Sequence, residues 1–310
     1  MTEGGSSDDA VTIVEVSPRD GLQNERTMVS TQTKARLVRD LIGAGLRRVE
    51  VTSFVHPRLV PQMADAEAVV DQTGPHDAAS LIGLVLNERG AARAVATRGI
   101  EEINYVVPAT DSFGRANQGM TTAQALEVGA WIGEQVHGHG HRFSVTVAVA
   151  FGCPYDGDVS ERRLANVVSR AAELAPDELA LADTIGCAVP ADVRRRVTQT
   201  TGTWSGPLRM HFHDTRRTGL ANADAALEAG VRILDSSAGG IGGCPFAPGA
   251  AGNLATEDLL WMLQRSHVRT VAPIDAVRVT EIGRELCTAL GFDSRSAIGS
   301  AGVFPGVPAA

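Results

Sequence analysis

Residues 210–215 have the sequence Met-His-Phe-His-Asp-Thr and end a predicted strand that spans residues 208–213. Alternate side chains of a strand share a face, so His211 and His213 point the same way. Burying two adjacent imidazoles is costly unless both have polar partners. Two core histidines bonded to backbone carbonyls would be the simpler interpretation. The Asp-Thr pair at the carboxyl end of the strand favours a divalent metal bound by both imidazoles.

The rest of the sequence repeats one unit, a strand followed by a helix. The predicted strands are residues 11–17, 48–54, 81–86, 103–108, 143–150, 178–183, 208–213 and 232–237. Helical patterns occupy residues 31–44, 88–97, 122–137, 160–174, 191–200 and 221–229 between them, and 259–264 and 274–290 after them. These units predict an α/β fold, a (β/α)8 TIM barrel with an extra C-terminal helix. A doubly wound open sheet is the competitor, but no Gly-x-Gly-x-x-Gly follows the first strand.

Length and composition fit one catalytic domain. The 310 residues carry a net charge of −8, which disfavours a nucleic-acid partner. No apolar run reaches the length of a membrane span. We predict a disordered tail over residues 1–10, a catalytic barrel over 11–292 and a flexible tail over 293–310. The four cysteines form no Cys-x-x-Cys pair, which favours free thiols in a reducing cytoplasm.

Polar residues cluster where the predicted strands end. Arg19 and Asp20 follow the first strand, Glu50 lies on the second, and Asp183 and Thr184 end the sixth. Barrel enzymes place their active sites at this end of the strands. The alternative is that polar residues simply mark the ends of strands, but that would not select carboxylates, imidazoles and an arginine so consistently. We therefore predict an active site at the carboxyl ends.

The segment after the eighth strand, residues 239–246, has the sequence Gly-Gly-Ile-Gly-Gly-Cys-Pro-Phe. Its glycines permit positive φ angles and movement. A plain linker is the alternative, but a linker seldom carries a single thiol between glycine and proline. Cys244 is therefore a candidate acid, base or nucleophile.

Three stretches resemble the 3-hydroxy-3-methylglutaryl-CoA (HMG-CoA) lyase family. They are residues 14–25, Val-Glu-Val-Ser-Pro-Arg-Asp-Gly-Leu-Gln-Asn-Glu; residues 52–55 with 60–63, Thr-Ser-Phe-Val and Val-Pro-Gln-Met; and residues 239–258, with Gly-Gly-Cys-Pro-Phe-Ala and Gly-Asn-Leu-Ala-Thr-Glu-Asp. The likeness covers about residues 11–290. It implies a TIM-barrel carbon–carbon lyase that cleaves an acyl-CoA to acetyl-CoA and a keto product such as acetoacetate, as in leucine degradation. It also implies a homodimer.

The resemblance implies roles for individual residues. A divalent cation, Mg²⁺ or Mn²⁺, would be bound by Asp20, His211, His213 and Asn253. Arg19 would face the thioester oxygen that becomes an enolate, and Cys244 would protonate the leaving carbanion. Glu50 and Asp183 would orient the metal ligands or join proton transfer, and Asp20 or His211 would be the base. Substrate contacts would come from Arg19, Gln23, Asn117, Thr146, Ala180 and Thr184.

The sequence also departs from the family. Thr146 and Ala180 stand where the family pattern has a tyrosine and a serine near the distal carboxylate of the acyl group. These smaller residues predict an altered acyl pocket with more volume and fewer donors, suited to a bulkier or less polar C3 substituent. The alternative is that Arg216, Arg217 or Asn117 supplies the missing donor.

Three functions therefore remain in competition. The first is a lyase for HMG-CoA or for a different 3-hydroxyacyl thioester. The second is a synthase of the same superfamily that condenses an acyl-CoA with a keto acid, although the Gly-Gly-Cys-Pro segment favours cleavage. The third is a non-catalytic metal-binding scaffold, which the complete set of metal-binding residues disfavours.

Overall fold

Eight parallel strands close into a barrel in the computed structural model, which describes residues 9–243 and 252–302. Each strand pairs with its neighbours in the chain, and the last pairs with the first, so the predicted TIM barrel is confirmed. The strands are β1 (Thr12–Glu15), β2 (Arg48–Ser53), β3 (Ser80–Val85), β4 (Glu102–Pro108), β5 (Arg142–Ala148), β6 (Glu178–Asp183), β7 (Leu208–Phe212) and β8 (Ile233–Ser236).

Helices surround the barrel and cover its apolar outer face. They are α1 (Thr31–Gly43), α2 (Ala66–Thr73), α3 (Glu88–Ala96), α4 (Asp111–Gln118), α5 (Thr122–Gly138), α6 (Glu161–Ala172), α7 (Pro190–Thr201), α8 (Gly219–Glu228), α9 (Thr256–Arg265), α10 (Ala276–Leu290) and α11 (Ala297–Ala301). Their buried aliphatic residues and those of the strands form one large hydrophobic core. Within the described ranges, no helix has both the length and the apolar character needed to span a membrane.

Three of these helices were not anticipated from the sequence. Helices α2 and α4 lie in segments predicted as connections, and α11 lies in the predicted C-terminal tail. Helix α11 begins where Asp258 accepts hydrogen bonds from the backbone of Ala297 at 2.9 Å and of Ile298 at 2.8 Å. A carboxylate at this position satisfies the free N–H groups of a helix start and favours its dipole.

A buried charged cluster fills the barrel near the amino ends of its strands. Arg48 pairs with Glu102 at 2.7 Å and with Glu178 at 2.8 Å. Ser144 donates to Glu102 at 2.7 Å. Charges in a low-dielectric interior need such ion pairs and hydrogen bonds to be tolerated. This lower cluster, consisting of Arg48, Glu102, Ser144 and Glu178, closes the amino end of the barrel.

Glu15 fixes the loops at the opposite end. Its buried carboxylate accepts hydrogen bonds from the backbone of Ser17 at 2.8 Å and of Ala238 at 3.0 Å, and from the Thr256 hydroxyl at 2.6 Å. One side chain therefore ties together the loop after β1, the loop after β8 and the start of α9. A short helical turn, Ser17–Gly21, follows directly and carries the first polar residues of the candidate site.

Candidate active site

A cavity of about 210 Å³ lies at the carboxyl ends of the strands. Side chains from seven of the eight strands or the loops after them reach it, as the barrel prediction requires. Its polar lining includes Arg19, Asp20, Gln23, Asn24, Asn104, Asn117, Thr146, Thr184, His211, His213 and Asp235. Apolar side chains such as Leu84, Val106 and Phe113 complete the wall.

Asp20, His211 and His213 converge at one point of this cavity, with one potential metal-ligating atom from each lying within 4.8 Å of the others. Oδ2 of Asp20 lies 3.9 Å from Nε2 of His211 and 3.7 Å from Nε2 of His213. Asn253 joins them by donating a 2.7 Å hydrogen bond from Nδ2 to Oδ2 of Asp20. The structure thus brings together all four residues predicted to bind a cation.

Two atoms of this group lack the partner that burial demands. Oδ1 of Asn253 and Nδ1 of His213 are buried and make no hydrogen bond within the described part of the chain. A buried polar atom without a partner is destabilising, so such atoms are uncommon in native proteins. A bare carboxamide oxygen beside a carboxylate and two imidazoles is a donor set that suits an intermediate divalent cation.

The pKa values of Asp20 and His213 are consistent with this interpretation. Burial alone would raise the pKa of Asp20, but the Arg19 guanidinium and the two imidazoles hold it well below its usual range. Burial and the neighbouring His211 lower the pKa of His213 to about 4, so its imidazole is neutral at physiological pH. An ionised carboxylate and a neutral imidazole are the forms that bind metals.

Asp235 sets the orientation of His211, a relation the sequence did not predict. Oδ2 of Asp235 lies 3.1 Å from Nδ1 of His211. Burial disfavours the imidazolium, but the hydrogen bond to Asp235 and the charge of Asp20 raise the pKa of His211. A carboxylate on Nδ1 fixes the ring and directs Nε2 toward the cavity.

Arg19 is fixed by two carboxylates. Its Nε donates to Glu50 and its Nη1 donates to Asp20, in two short contacts. Asn104 donates to the other oxygen of Glu50 at 2.9 Å, which keeps that carboxylate oriented. Burial opposes the charge of Arg19, but Glu50 and Asp20 raise its pKa. Glu50 is nearly fully buried and does not line the cavity, but it holds Arg19 and Asn104, which do.

Gly242 allows the loop after β8 to approach the cluster of Asp20, His211, His213 and Asn253. Its φ angle is 111°, a conformation that other residues rarely adopt. A Cβ atom at this position would also collide with Nδ2 of Asn253. Residues 239–243, the part of the glycine-rich loop that the structure describes, therefore require glycine at position 242. Cys244 lies outside the described residues.

Comparisons with known proteins agree with this geometry. The family model described as HMGL-like matches residues 10–284. The (R)-citramalyl-CoA lyase of Chloroflexus aurantiacus is 38% identical across 96% of this chain and 97% of its own length. The hydroxymethylglutaryl-CoA lyase of Bacillus subtilis is 38% identical across 84% of this chain and 87% of its own length.

The chain belongs to the HMGL-like family.

A solved structure of a relative extends the match to the whole fold. An HMG-CoA lyase from Acinetobacter baumannii, in complex with coenzyme A and 3-methylmalate, has a TM-score of 0.92 and 40% sequence identity, and the match covers 99% of both chains. The resemblance seen in the sequence is confirmed, and so is the expectation of an HMG-CoA lyase-like carbon–carbon lyase.

One predicted catalytic residue of this lyase lies away from the cavity. Asp183 is buried, and its two oxygens accept hydrogen bonds from the backbone of Cys187 at 2.9 Å and of Ala188 at 3.0 Å. Burial raises the pKa of Asp183, which these backbone donors partly offset. The geometry therefore assigns Asp183 to holding the loop after β6, where the sequence suggested a part in proton transfer or in orienting metal ligands.

Four of the predicted substrate contacts other than Arg19 line the cavity: Gln23, Asn117, Thr146 and Thr184. Ala180 does not, because its side chain is fully buried beneath the cavity. The two alternative donors are also occupied elsewhere. Arg216 donates to the carbonyls of Ile185 and Gly186, and Arg217 is 70% exposed and pairs with Asp214.

The expected extra volume beside Thr146 and Ala180 is filled by Arg209, a fully buried side chain of β7. Its Nη2 lies 3.4 Å from the Thr146 hydroxyl. The prediction of a roomier distal pocket considered the two small residues without this neighbour, and the volume open to the acyl group stays a prediction. Arg209 lies two residues before His211, so strand alternation alone would have placed it on the same inward face.

Proposed function

We propose that the protein is a divalent-metal-dependent lyase that cleaves HMG-CoA or a related 3-hydroxyacyl-CoA between C2 and C3, releasing acetyl-CoA and a keto acid. The observation that supports it most is the placement of Asp20, His211, His213 and the unpartnered Oδ1 of Asn253 beside Arg19 in one cavity. A metal-binding scaffold without activity would have no need for a buried arginine fixed over the same cavity.

These residues fit a divalent cation such as Mg²⁺ or Mn²⁺. Asp20, His211, His213 and Asn253 would hold it through two oxygen and two nitrogen atoms. When bound, such an ion lowers the pKa of a coordinated hydroxyl and so assists removal of its proton. Which of these two ions the protein uses in the cell stays a prediction.

Arg19 would stabilise the negative charge that forms on the thioester oxygen as the C2–C3 bond breaks. Its guanidinium is held by Glu50 and Asp20, so it needs no reorganisation when the enolate develops. The proton of the C3 hydroxyl would pass to a carboxylate oxygen of Asp20, because Nδ1 of His211 is bonded to Asp235 and its Nε2 would bind the metal. Protonation of C2 by Cys244 remains an expectation from the family.

The substrates named for the relatives define two candidates. Cleavage of HMG-CoA gives acetoacetate, and cleavage of citramalyl-CoA, which is one methylene shorter, gives pyruvate. Relatives at 38% identity carry each of these names. The relative solved with 3-methylmalate, a short dicarboxylate, adds weight to the shorter acyl group. A condensing synthase is favoured by none of these observations.

An assay of the purified protein tests the proposal. The metal-loaded protein would be incubated with HMG-CoA and, separately, with citramalyl-CoA, and the products would be separated by chromatography. We expect acetyl-CoA with a stoichiometric keto acid from at least one thioester, and loss of activity after exhaustive chelation. Full activity of the chelated protein, or cleavage of neither thioester, would contradict the proposal. Product formation only from acetyl-CoA and a keto acid would favour the synthase.

Several broader expectations remain predictions. The homodimer can be tested by light scattering coupled to gel filtration. A cytoplasmic location and a place in leucine degradation depend on the substrate and on the cell. The absence of nucleic-acid and membrane partners likewise rests on the acidic net charge and on the lack of a long apolar segment in the sequence.

A further inference from the structure

Arg209 is the largest side chain that is fully buried in the described part of the protein. It projects from β7 into the barrel, one layer below His211 on the same strand. Burying an arginine is costly unless its charge has partners and its position is useful. The mechanism proposed above gives Arg209 no task, so its presence below the cavity needs a separate explanation.

Three neighbouring strands form the space that Arg209 occupies. Thr146 on β5 is aligned with Ala180 on β6, and Ala180 is aligned with Arg209 on β7. Because alanine ends at Cβ, the arginine side chain can extend across β6 toward Thr146. Its Nη2 ends 3.4 Å from the Thr146 hydroxyl. The small residues at positions 146 and 180 and the long residue at 209 thus form one packed unit.

This unit lies directly under the cavity. Thr146 lines the cavity, and its hydroxyl donates a 2.9 Å hydrogen bond to Oδ1 of Asn104, another lining residue. Arg209 is fully buried behind Thr146. The floor of the cavity therefore consists of Thr146 and Asn104, and Arg209 is the side chain that prevents the floor from being deeper.

Ion pairs hold the guanidinium at this position. Its Nε lies 3.2 Å from Oε1 of Glu178 and 3.6 Å from Oδ1 of Asp235. Its Nη1 makes no hydrogen bond to any described residue. Arg209 is fully buried and does not line the cavity, so it acts on an acyl group through the space that it occupies behind Thr146.

We propose that Arg209, acting with Thr146, fixes the length of the acyl group and selects a thioester whose carboxylate is attached directly to C3. The inference rests on the lyase function proposed above. A substituent on C3 that points into the barrel from the Asp20–His211–His213 cluster meets this floor. A carboxylate on C3 fits above this floor, whereas a carboxymethyl group or a longer chain needs the space that Arg209 fills.

The test is the ratio of kcat/KM for citramalyl-CoA to that for HMG-CoA, measured on the same preparation. The ratio cancels losses in the fraction of folded enzyme, which matters because Arg209 forms buried ion pairs. A single methylene in a binding pocket typically changes kcat/KM by roughly 10–200-fold. We expect the wild-type enzyme to prefer citramalyl-CoA by at least about tenfold.

Two variants at one position separate volume from charge. Arg209→Ala removes both, so we expect the ratio to fall at least about tenfold, with kcat/KM for HMG-CoA rising relative to the shorter thioester. Arg209→Met keeps most of the length without the charge, so HMG-CoA should stay excluded and the ratio should stay near the wild-type value. The matched control Arg217→Met, at an exposed arginine, should keep the wild-type ratio.

Thr146→Val changes the floor of the cavity and leaves the ion pairs of Arg209 intact. It keeps the shape of the floor and removes a hydroxyl whose proton is already donated to Asn104, so the ratio should stay near the wild-type value. A wild-type preference for HMG-CoA, or an unchanged ratio in Arg209→Ala, would overturn the inference and leave the lyase function standing. Cleavage of neither thioester by the wild-type enzyme would instead contradict the function itself.

Discussion

The two ends of the barrel interior both hold buried charges, but they differ in how those charges are partnered. In the lower cluster, Arg48 lies between Glu102 and Glu178 at 2.7 and 2.8 Å. At the upper end, Oδ1 of Asn253 and Nδ1 of His213 have no partner among the described residues. Apart from Nε of Arg48, the charged groups of the lower cluster have partners in the fold, which explains them without a ligand. Unpartnered atoms in a cavity point to something the cavity binds.

The largest effect should come from breaking the upper cluster. His213→Ala should lower kcat by more than the roughly 10–100-fold typical of residues that only support a metal ligand, because it removes a ligand itself. The metal content of the purified protein should fall, while the circular dichroism spectrum stays unchanged. Activity and bound metal measured by mass spectrometry check this. His139→Ala, at an exposed histidine, is the control and should retain both.

Breaking the lower cluster should affect stability and spare the chemistry. Arg48→Met leaves Glu102 and Glu178 buried without their shared cation, which typically costs about 3–5 kcal/mol. Denaturant unfolding measures the change, and kcat per folded molecule should stay near the wild-type value. Arg142→Met removes a 53% exposed arginine near the same Glu102 and should cost at most about 1 kcal/mol. Equal losses in the two variants would show that the lower cluster contributes little.

Arg19→Lys sharpens the comparison, because it keeps the charge at the upper cluster and changes only its geometry. Lysine lacks the planar fork that contacts Glu50 and Asp20 together. We expect kcat to fall by roughly 10²–10³-fold, as for the loss of one oxyanion donor, with a modest change in KM. Steady-state kinetics on the preferred thioester decides this, and a loss confined to KM would assign Arg19 to substrate binding.

The smallest effect concerns Glu257, beneath the loop after β8. Burial raises its pKa from 4.5 to about 8, and the nearby Asp258 and Glu15 add to this although the Gly239 backbone donates to it. The folded state therefore favours the protonated acid. This contribution to stability is complete below pH 4.5 and is lost as the pH rises through about 8.

Glu257→Gln keeps an uncharged acceptor at every pH. The variant should therefore match the wild type at pH 5 and exceed it at pH 9, with a melting temperature higher by at least about 2 °C. Differential scanning calorimetry at the two pH values measures the difference. A variant that is less stable at pH 9 than the wild type would indicate that the ionised carboxylate is the stabilising form.

The sequence predicted what depends on strand periodicity and missed what depends on register between strands. Arg19, Asp20 and the two histidines lie at the carboxyl ends of strands that share one end of the barrel. The positions of the strands in the sequence were therefore enough to predict that these residues converge. Arg209 extends over Ala180 to Thr146 only because three strands are aligned in one register. The sequence of a single strand does not show that register. The position of Asp183 depends on the conformation of the following loop, which has no periodic signal.

The contacts that close the site also set when it can form. The hydrogen bond between Asp20 and Asn253 spans 233 residues, and that between Glu15 and Thr256 spans 241. Chain synthesis proceeds at about 5–20 residues per second, so the amino-terminal partners wait roughly 10–50 s for their counterparts. An incomplete nascent chain therefore lacks a complete centre, and activity arises only with barrel closure. The acidic and basic groups of the first strand–loop unit remain exposed to solvent until then.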